Sequence, residues 1–201
     1  MSDTPQGFFE GTGMPDAGWW EALWPDPARV LDTAGLTPGM DVVDLCAGDG
    51  WFTRVMAQRA RHVFAVDIDP KLIAMSEIRL RESGISNCSF IAGDAYDLQK
   101  LIGRRVDFVF LANAYHGVPD KERLCRAIHD ALTPGGVLAI VNWYARPREG
   151  TKVLGEPRGP KTELRMSPEV TIASVAGSGL LFMRSADVSP YHYAAMFQRP
   201  A

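Results

Sequence analysis

Residues 42–53 read VVDLCAGDGWFT, an apolar run that passes directly into a loop with Gly48 and Gly50 separated by one acid. A strand that ends in glycines and feeds a helix brings backbone N–H groups and a positive helix end to the carboxyl edge of a sheet, where open α/β sheets bind ligands. Asp67, in HVFAVDIDP, closes the next apolar run 19 positions after Gly48. Such sheets set an acid there to accept the two hydroxyls of a ribose. Together these features point to a nucleoside, and both NAD and S-adenosylmethionine satisfy them. A dinucleotide wants a third glycine at position 53 to admit its pyrophosphate, and Thr53 stands there instead.

Two residues further along are candidates for proton transfer. His116 follows the fourth apolar run in Asn113-Ala114-Tyr115-His116, and an imidazole near neutral pKa suits proton removal. The competing reading is a histidine bonded to a neighbouring backbone in a tight turn, and Tyr115 beside it carries the same two readings. Asp44 either meets a ligand ammonium group or braces the loop backbone. Cys46, with no cation near it in sequence, reads as a backbone contributor with an inert thiol. His62, His129 and His192 have no metal-ligand spacing, and no metal is expected.

These residues need elements to hold them. From Asp41 to about Trp143, short β-branched or aromatic runs alternate with longer helical stretches, the signature of βαβ units around a parallel sheet. Five strands are predicted, at Asp41–Leu45, His62–Val66, Cys88–Ala92, Val106–Leu111 and Val137–Asn142, with helices over Thr53–Arg61, Pro70–Glu82 and Pro119–Leu132. Leu180–Val188 and Tyr191–Phe197, separated by Ser189-Pro190, read as an antiparallel pair added to the sheet edge. The expected fold is α/β: a Rossmann-like, doubly wound, mainly parallel seven-stranded sheet with an antiparallel C-terminal hairpin and helices on both faces.

Residues 1–35 form an expected aromatic-rich helical cap, with a helix near Pro27–Gly35. Trp19, Trp20 and Trp24 read either as a helix packed on the core or as a flap over the ligand. Residues 36–201 form the expected ligand-binding domain, ending in a short helix from Pro168 and the terminal hairpin. Prolines at 147, 157, 160 and 168 and glycines at 150, 155 and 159 make residues 144–168 a predicted long loop and candidate lid. That loop holds six Lys or Arg against three Glu. The excess fits a solvated loop, or a clamp for a carboxylate or other anion built from Arg146, Arg148 and Arg158.

At 201 residues the chain can bury one sizeable core, and its formal charge of −3 sets up no global field for nucleic acid or an anionic membrane. Three scattered cysteines read as free thiols, which suits a reducing compartment. No apolar run approaches the roughly 20 residues that span a bilayer, and the expectation is a cytoplasmic monomer or homodimer with no nucleic-acid partner and no stable membrane insertion.

From about residue 27 onward the sequence resembles the class I S-adenosylmethionine-dependent methyltransferases. DLCAGDG resembles that family's acid-x-Gly-x-Gly-x-Gly loop, with Asp44 as the leading acid, Gly48 and Gly50 as the second and third glycines, and Cys46 where the first is usual. The resemblance implies cofactor contacts from Asp44, Cys46, Ala47, Gly48 and Gly50. It gives Asp67 to the ribose, Ile68 to the adenine face, and Asp94 with Ala95 in IAGDAYDL to the adenine amino group and ring. DFVFLANAYHGVPDK resembles the fourth-strand segment, which implies a cofactor contact at Asn113. LTPGGVLAIVNW resembles the fifth-strand segment; its final Trp143 joins Arg146, Arg148 and Arg158 as the expected acceptor site, with His116 and Tyr115 as the catalytic candidates. The implied activity is methyl transfer from S-adenosylmethionine to a small, in one reading anionic, acceptor. The alternatives are a lipid or quinone methyltransferase working at a membrane surface and a non-catalytic S-adenosylmethionine-binding protein. A nucleic-acid or protein substrate would call for an Asn-Pro-Pro-Tyr-like site where Asn113-Ala114-Tyr115-His116 stands.

Overall fold

The computed structural model describes residues 8–201. Of the expected cap, residues 1–7 lie outside this range. The remainder of that segment forms α1 (Ala17–Leu23) and α2 (Pro27–Ala34). Asp26 caps α2 through a hydrogen bond from the Arg29 N–H, Pro27 supplies the first helical residue, and Gly35 closes the helix at φ +100°.

Then comes the alternating body: β1 (Asp41–Leu45), α3 (Trp51–Ala57), β2 (His62–Asp67), α4 (Pro70–Glu82), β3 (Cys88–Ala92), α5 (Leu98–Ile102), β4 (Val106–Ala112), α6 (Lys121–Ala131) and β5 (Leu132–Trp143). A two-residue-per-strand hairpin, β6 (Lys152–Val153) and β7 (Glu156–Pro157), precedes α7 (Pro168–Val175), β8 (Leu181–Ser189) and β9 (His192–Gln198). The main sheet has seven strands in the order β3-β2-β1-β4-β5-β9-β8. The first five are parallel, β9 runs antiparallel to β5, and β8 antiparallel to β9. This is the expected seven-stranded, mainly parallel architecture.

Strand order reverses between β1 and β4, and this switch point opens a crevice at the carboxyl edge. Both sheet faces are covered, which explains why β1 is buried at every residue. Its Val42 packs with Leu31, Phe52, Val55, Phe108 and Trp24 on one face. Its Val43 packs with Leu98, Val109, Leu124 and Ile128 on the other.

Several sequence expectations change: α3 spans Trp51–Ala57 instead of Thr53–Arg61, and β5 begins at Leu132 instead of Val137. Asp120, whose carboxylate accepts the Arg123 N–H, caps α6, which begins at Lys121, two residues after the predicted start at Pro119. Helix α5 has no counterpart in the sequence reading, because five residues ending at Gly103 are too short for a periodic signal. The loop 144–168 is not structureless. Leu154 at φ +52° and Gly155 at φ +83° turn β6 into β7, as tight hairpins require, and Arg165 ties the remainder together.

Candidate functional site

The glycine loop is held by its backbone angles. Cys46 (φ +60°), Gly48 (φ +57°) and Gly50 (φ +85°) all lie in the left-handed region. A Cβ on Gly50 would sit 2.1 Å from Ser76 Oγ, so this glycine lets α3 and α4 approach. Cys46 occupies the same region with a side chain, at a cost of about 1–2 kcal/mol. Burial pushes its thiol pKa far above the ordinary value, which leaves it a poor nucleophile.

The N–H of Gly48 donates to Asp67 Oδ2 at 2.8 Å, and the N–H of Asp69 donates to Asp67 Oδ1 at 2.9 Å. The carboxylate is thus aimed by backbone on both oxygens, each of which keeps lone-pair capacity for a further donor. Burial raises its pKa and the N–H donors offset part of that rise. Asp94, just past β3, accepts the Tyr96 N–H at 2.9 Å. Asp44 lies against α3: Thr53 Oγ1 donates to its Oδ2 at 2.6 Å. Burial dominates there, and the Asp44 carboxyl is pushed up to about 7.

Asp44, Asp67 and Asp94 all line one cavity of about 390 Å³, with Cys46, Ala47 and Gly48. That size lies in the range of pockets that enclose small molecules. Ile68, Ala95 and Asn113 line it too. Gly50 is not part of the wall. Asn113 sits at φ +56° and donates its N–H to the Val141 carbonyl at 2.9 Å. Both polar atoms of its side-chain amide are buried with no partner among the described residues. A buried amide without partners is costly, and a polar ligand in the cavity would supply them.

The carboxyl-edge residues are the floor; the roof is built differently. Phe9, Met14, Trp19 and Trp20 cover the cavity from the N-terminal side. The segment is seated tightly, since a Cβ on Gly117 would fall 2.0 Å from the Glu10 carbonyl oxygen. The tryptophans divide between the two sequence readings. Trp24 is 1% exposed and packs against Phe52 and His192 in the core, whereas Trp19 and Trp20 line the cavity.

The lid contributes Arg148, Arg158, Gly159 and Pro160, and β5 contributes Trp143. Gly159 at φ +85° presses on Trp143, where a Cβ would meet the indole at 2.8 Å. Arg148 Nε donates to the Gly159 carbonyl at 3.1 Å. Arg165, 6% exposed, lies over the Trp143 ring at 5.0 Å and donates to the carbonyls of Pro160 and Arg158 and to Thr151 Oγ1. Sequence reasoning counts Arg165 in the basic excess and assigns it no role. Its task as the lid's internal clamp follows from non-local contacts with no sequence signal. Trp51, at the head of α3, is likewise absent from the sequence-based candidates and lines the cavity.

Besides Gly50, three expected site residues are elsewhere. Tyr115 is fully buried and its hydroxyl bonds Ser174 Oγ at 2.8 Å, within the core between β4, α6 and α7; burial raises its pKa far beyond the ordinary phenol. His116 also lies outside the cavity wall. Its Nε2 is 3.3 Å from the Gly11 carbonyl, a contact that requires the proton on Nε2. Burial lowers its pKa to about 4. Arg146 is exposed, stacked over Tyr144, with Nη1 donating to the Pro190 carbonyl at 3.3 Å.

A methyltransferase-domain family profile matches residues 42–136. Methyltransferase gedG of Aspergillus terreus is 34% identical over 102 residues, covering 51% of this chain and 31% of that protein. The ubiquinone/menaquinone biosynthesis C-methyltransferase UbiE of Shewanella oneidensis is 28% identical over 123 residues, covering 59% of this chain and 48% of that protein. This chain therefore spans about a third to a half of the length of these curated relatives. A SAM-dependent methyltransferase from Aquifex aeolicus superposes with a TM-score of 0.77 at 21% identity, over 92% of this chain and 94% of that one, a likeness of fold. The profile spans the cavity floor and stops before Trp143 and the lid.

Proposed function

We propose, from the premise that this chain belongs to the class I S-adenosylmethionine-dependent methyltransferase family, that it transfers a methyl group from that cofactor to a small acceptor held between the floor and the lid. When bound, the cofactor supplies a methyl group already activated by its sulfonium charge. The floor fits such a group: its acids suit a cation, and the unpartnered Asn113 amide awaits a polar ligand. In this reading Asp67 accepts the ribose hydroxyls through the lone pairs its backbone donors leave free, and Asp94 accepts from the adenine amino group. Ile68 and Ala95 pack against the base, and the loop from Cys46 to Gly48 borders the amino-acid end. Gly50 acts at one remove, by setting the start of α3.

The wall carries no His, Lys or Tyr side chain among the described residues, and its acids belong to the floor. The reading therefore relies on alignment of an acceptor that needs no side-chain base, with water excluded by Trp19, Trp20 and the lid. Trp143, Arg148 and Arg158 hold the acceptor; His116, Tyr115 and Arg146 act only as structural supports. The carrying observation is the convergence of Asp67, Asp94 and Asn113 on one cavity. Calorimetric titration with S-adenosylhomocysteine tests it. Loss of one charged hydrogen-bond acceptor is worth about 1.5–3 kcal/mol, so Asp67→Ala should weaken binding at least tenfold, and Asp94→Ala similarly. No binding by the wild type, or unchanged binding in both variants, refutes the proposal.

A quinone-type acceptor taken from a membrane surface is the second reading, favoured by the similarity to UbiE and by exposed Leu181, Phe182 and Met183 on β8. Among the described residues no helix is long and apolar enough to cross a membrane. Flotation with anionic liposomes separates the two: only surface action predicts co-migration that charged substitutions at Leu181 and Phe182 abolish.

A further inference from the structure

The roof of the cavity differs in chemistry from its floor, and the difference specifies an acceptor. From the N-terminal segment, α1, α3 and the lid, no Leu, Ile or Val side chain reaches the cavity among the described residues. The apolar surface there comes from Phe8, Phe9, Trp19, Trp20, Trp51 and Phe52, joined by Trp143 at the end of β5 and supplemented by Met14 and prolines. An aliphatic chain is served by any apolar wall. A wall of rings presents broad flat faces at small entropic cost and gains most from another flat ring, through stacked or edge-on contacts worth about 0.5–1.5 kcal/mol each beyond area burial.

The charged groups on this side are two cations, Arg148 and Arg158, among the described residues. The Arg158 guanidinium lies over the Trp19 ring at 5.6 Å, its Nε is buried without a partner, and neither Arg158 nor Arg148 pairs with a carboxylate among the described residues. The indole N–H groups of Trp20 and Trp51 are also buried with no partner among the described residues. The backbone beneath Arg158 is fixed, because its carbonyl accepts from Arg165 Nη2 at 2.9 Å and from Thr151 Oγ1 at 3.0 Å. A planar cation on a fixed backbone, with no carboxylate partner among the described residues, suits an anionic oxygen group. Among the described residues, the acids of the cavity all lie on the floor.

We infer that the acceptor is a flat aromatic molecule bearing an anionic oxygen group, stacked among the roof rings and anchored by Arg158. The inference rests on the methyl-transfer reading for the word acceptor, and its test stands apart from that reading. Calorimetry compares 2-naphthoate, 2-naphthamide and cyclohexanecarboxylate, with and without saturating S-adenosylhomocysteine. The naphthoate should bind at least tenfold more tightly than either comparator, since one lacks the charge and the other the ring. Arg158→Met should erase the preference for naphthoate over naphthamide, Arg158→Lys should retain part of it, and both should bind S-adenosylhomocysteine as the wild type does, which reports an intact fold. Equal affinity for naphthoate and cyclohexanecarboxylate, equal affinity for naphthoate and naphthamide, or an unaltered preference in Arg158→Met overturns the inference. Failure of S-adenosylhomocysteine to bind sinks the methyl-transfer reading instead, while the naphthoate titration without it still decides this one.

Discussion

Asp44 should make the protein less stable as the solution becomes neutral. It lies near the end of β1, is 3% exposed, has one hydroxyl donor in Thr53, and feels the charges of Asp67 and Asp49. Burial therefore outweighs the hydrogen bond, and the folded carboxyl keeps its proton up to about 7, against an ordinary 3.8. Between those two values the native state binds a proton that the unfolded chain has released, so unfolding free energy falls as pH rises and levels off above about 7. At about 1.4 kcal/mol per pH unit, the interval amounts to roughly 4 kcal/mol. The amide introduced by Asp44→Asn has no proton to lose. Subtracting the stability of that variant from that of the wild type cancels the other titrating groups. Urea unfolding of wild type and Asp44→Asn, followed by tryptophan fluorescence from pH 4 to 8.5, should give curves that diverge by this amount. With a slope near 2 kcal/mol per molar urea, the divergence is about 2 M in midpoint. Parallel curves would refute the reasoning. S-adenosylhomocysteine titrations over the same range separate the two roles left open for Asp44. Affinity rising from pH 6 to 8 in wild type but not in Asp44→Asn marks an ammonium contact, and a flat profile marks a loop brace.

Two further substitutions probe the frame. Gly50→Ala puts a methyl group 2.1 Å from Ser76 Oγ at φ +85°; left-handed strain of about 1–2 kcal/mol plus overpacking of about 1–3 kcal/mol should lower the urea midpoint by about 1 M or more, and an unchanged midpoint would contradict the helix contact. Tyr115→Phe removes the bond to Ser174, which lies outside the cavity wall, so it should cost about 1 kcal/mol of stability and leave S-adenosylhomocysteine affinity and any methyl transfer within twofold. A hundredfold loss of transfer with binding intact would return Tyr115 to the chemistry.

Much of the frame was legible because it depends on local chemistry. Asp26-Pro27, Asp69-Pro70 and Ser167-Pro168 each pair a side-chain cap with a residue pre-set for the first helical turn, and each begins a helix. Strands β1, β2 and β4 were readable as continuous apolar runs because helices cover both faces. Short elements such as α5 and the β6–β7 hairpin gave no periodic signal. At the site, the floor was legible as far as its residues fall at strand ends: Asp67 and Asp94 come to one cavity because β2 and β3 are neighbours in register, Val66 opposite Ile91 and Asp67 opposite Ala92. Tyr115 and His116 also follow a strand end, yet the 3₁₀ turn over residues 115–117 rotates both away from the cavity wall. A rotation of that kind depends on what packs beneath the turn.

The local chain set the mainly parallel sheet and its acid-tipped floor, since strand period, caps and glycine positions are fixed by neighbours along the chain. Tertiary structure alone decided the roof. Trp19 and Trp20 line the cavity while Trp24 is consumed by the core, and Arg158 has no carboxylate partner among the described residues while Arg165 clamps the lid, although each pair or trio looks equivalent in sequence. The physical reason is that a ring or guanidinium gains its energy from whichever surface it meets, and that surface belongs to segments distant in the chain.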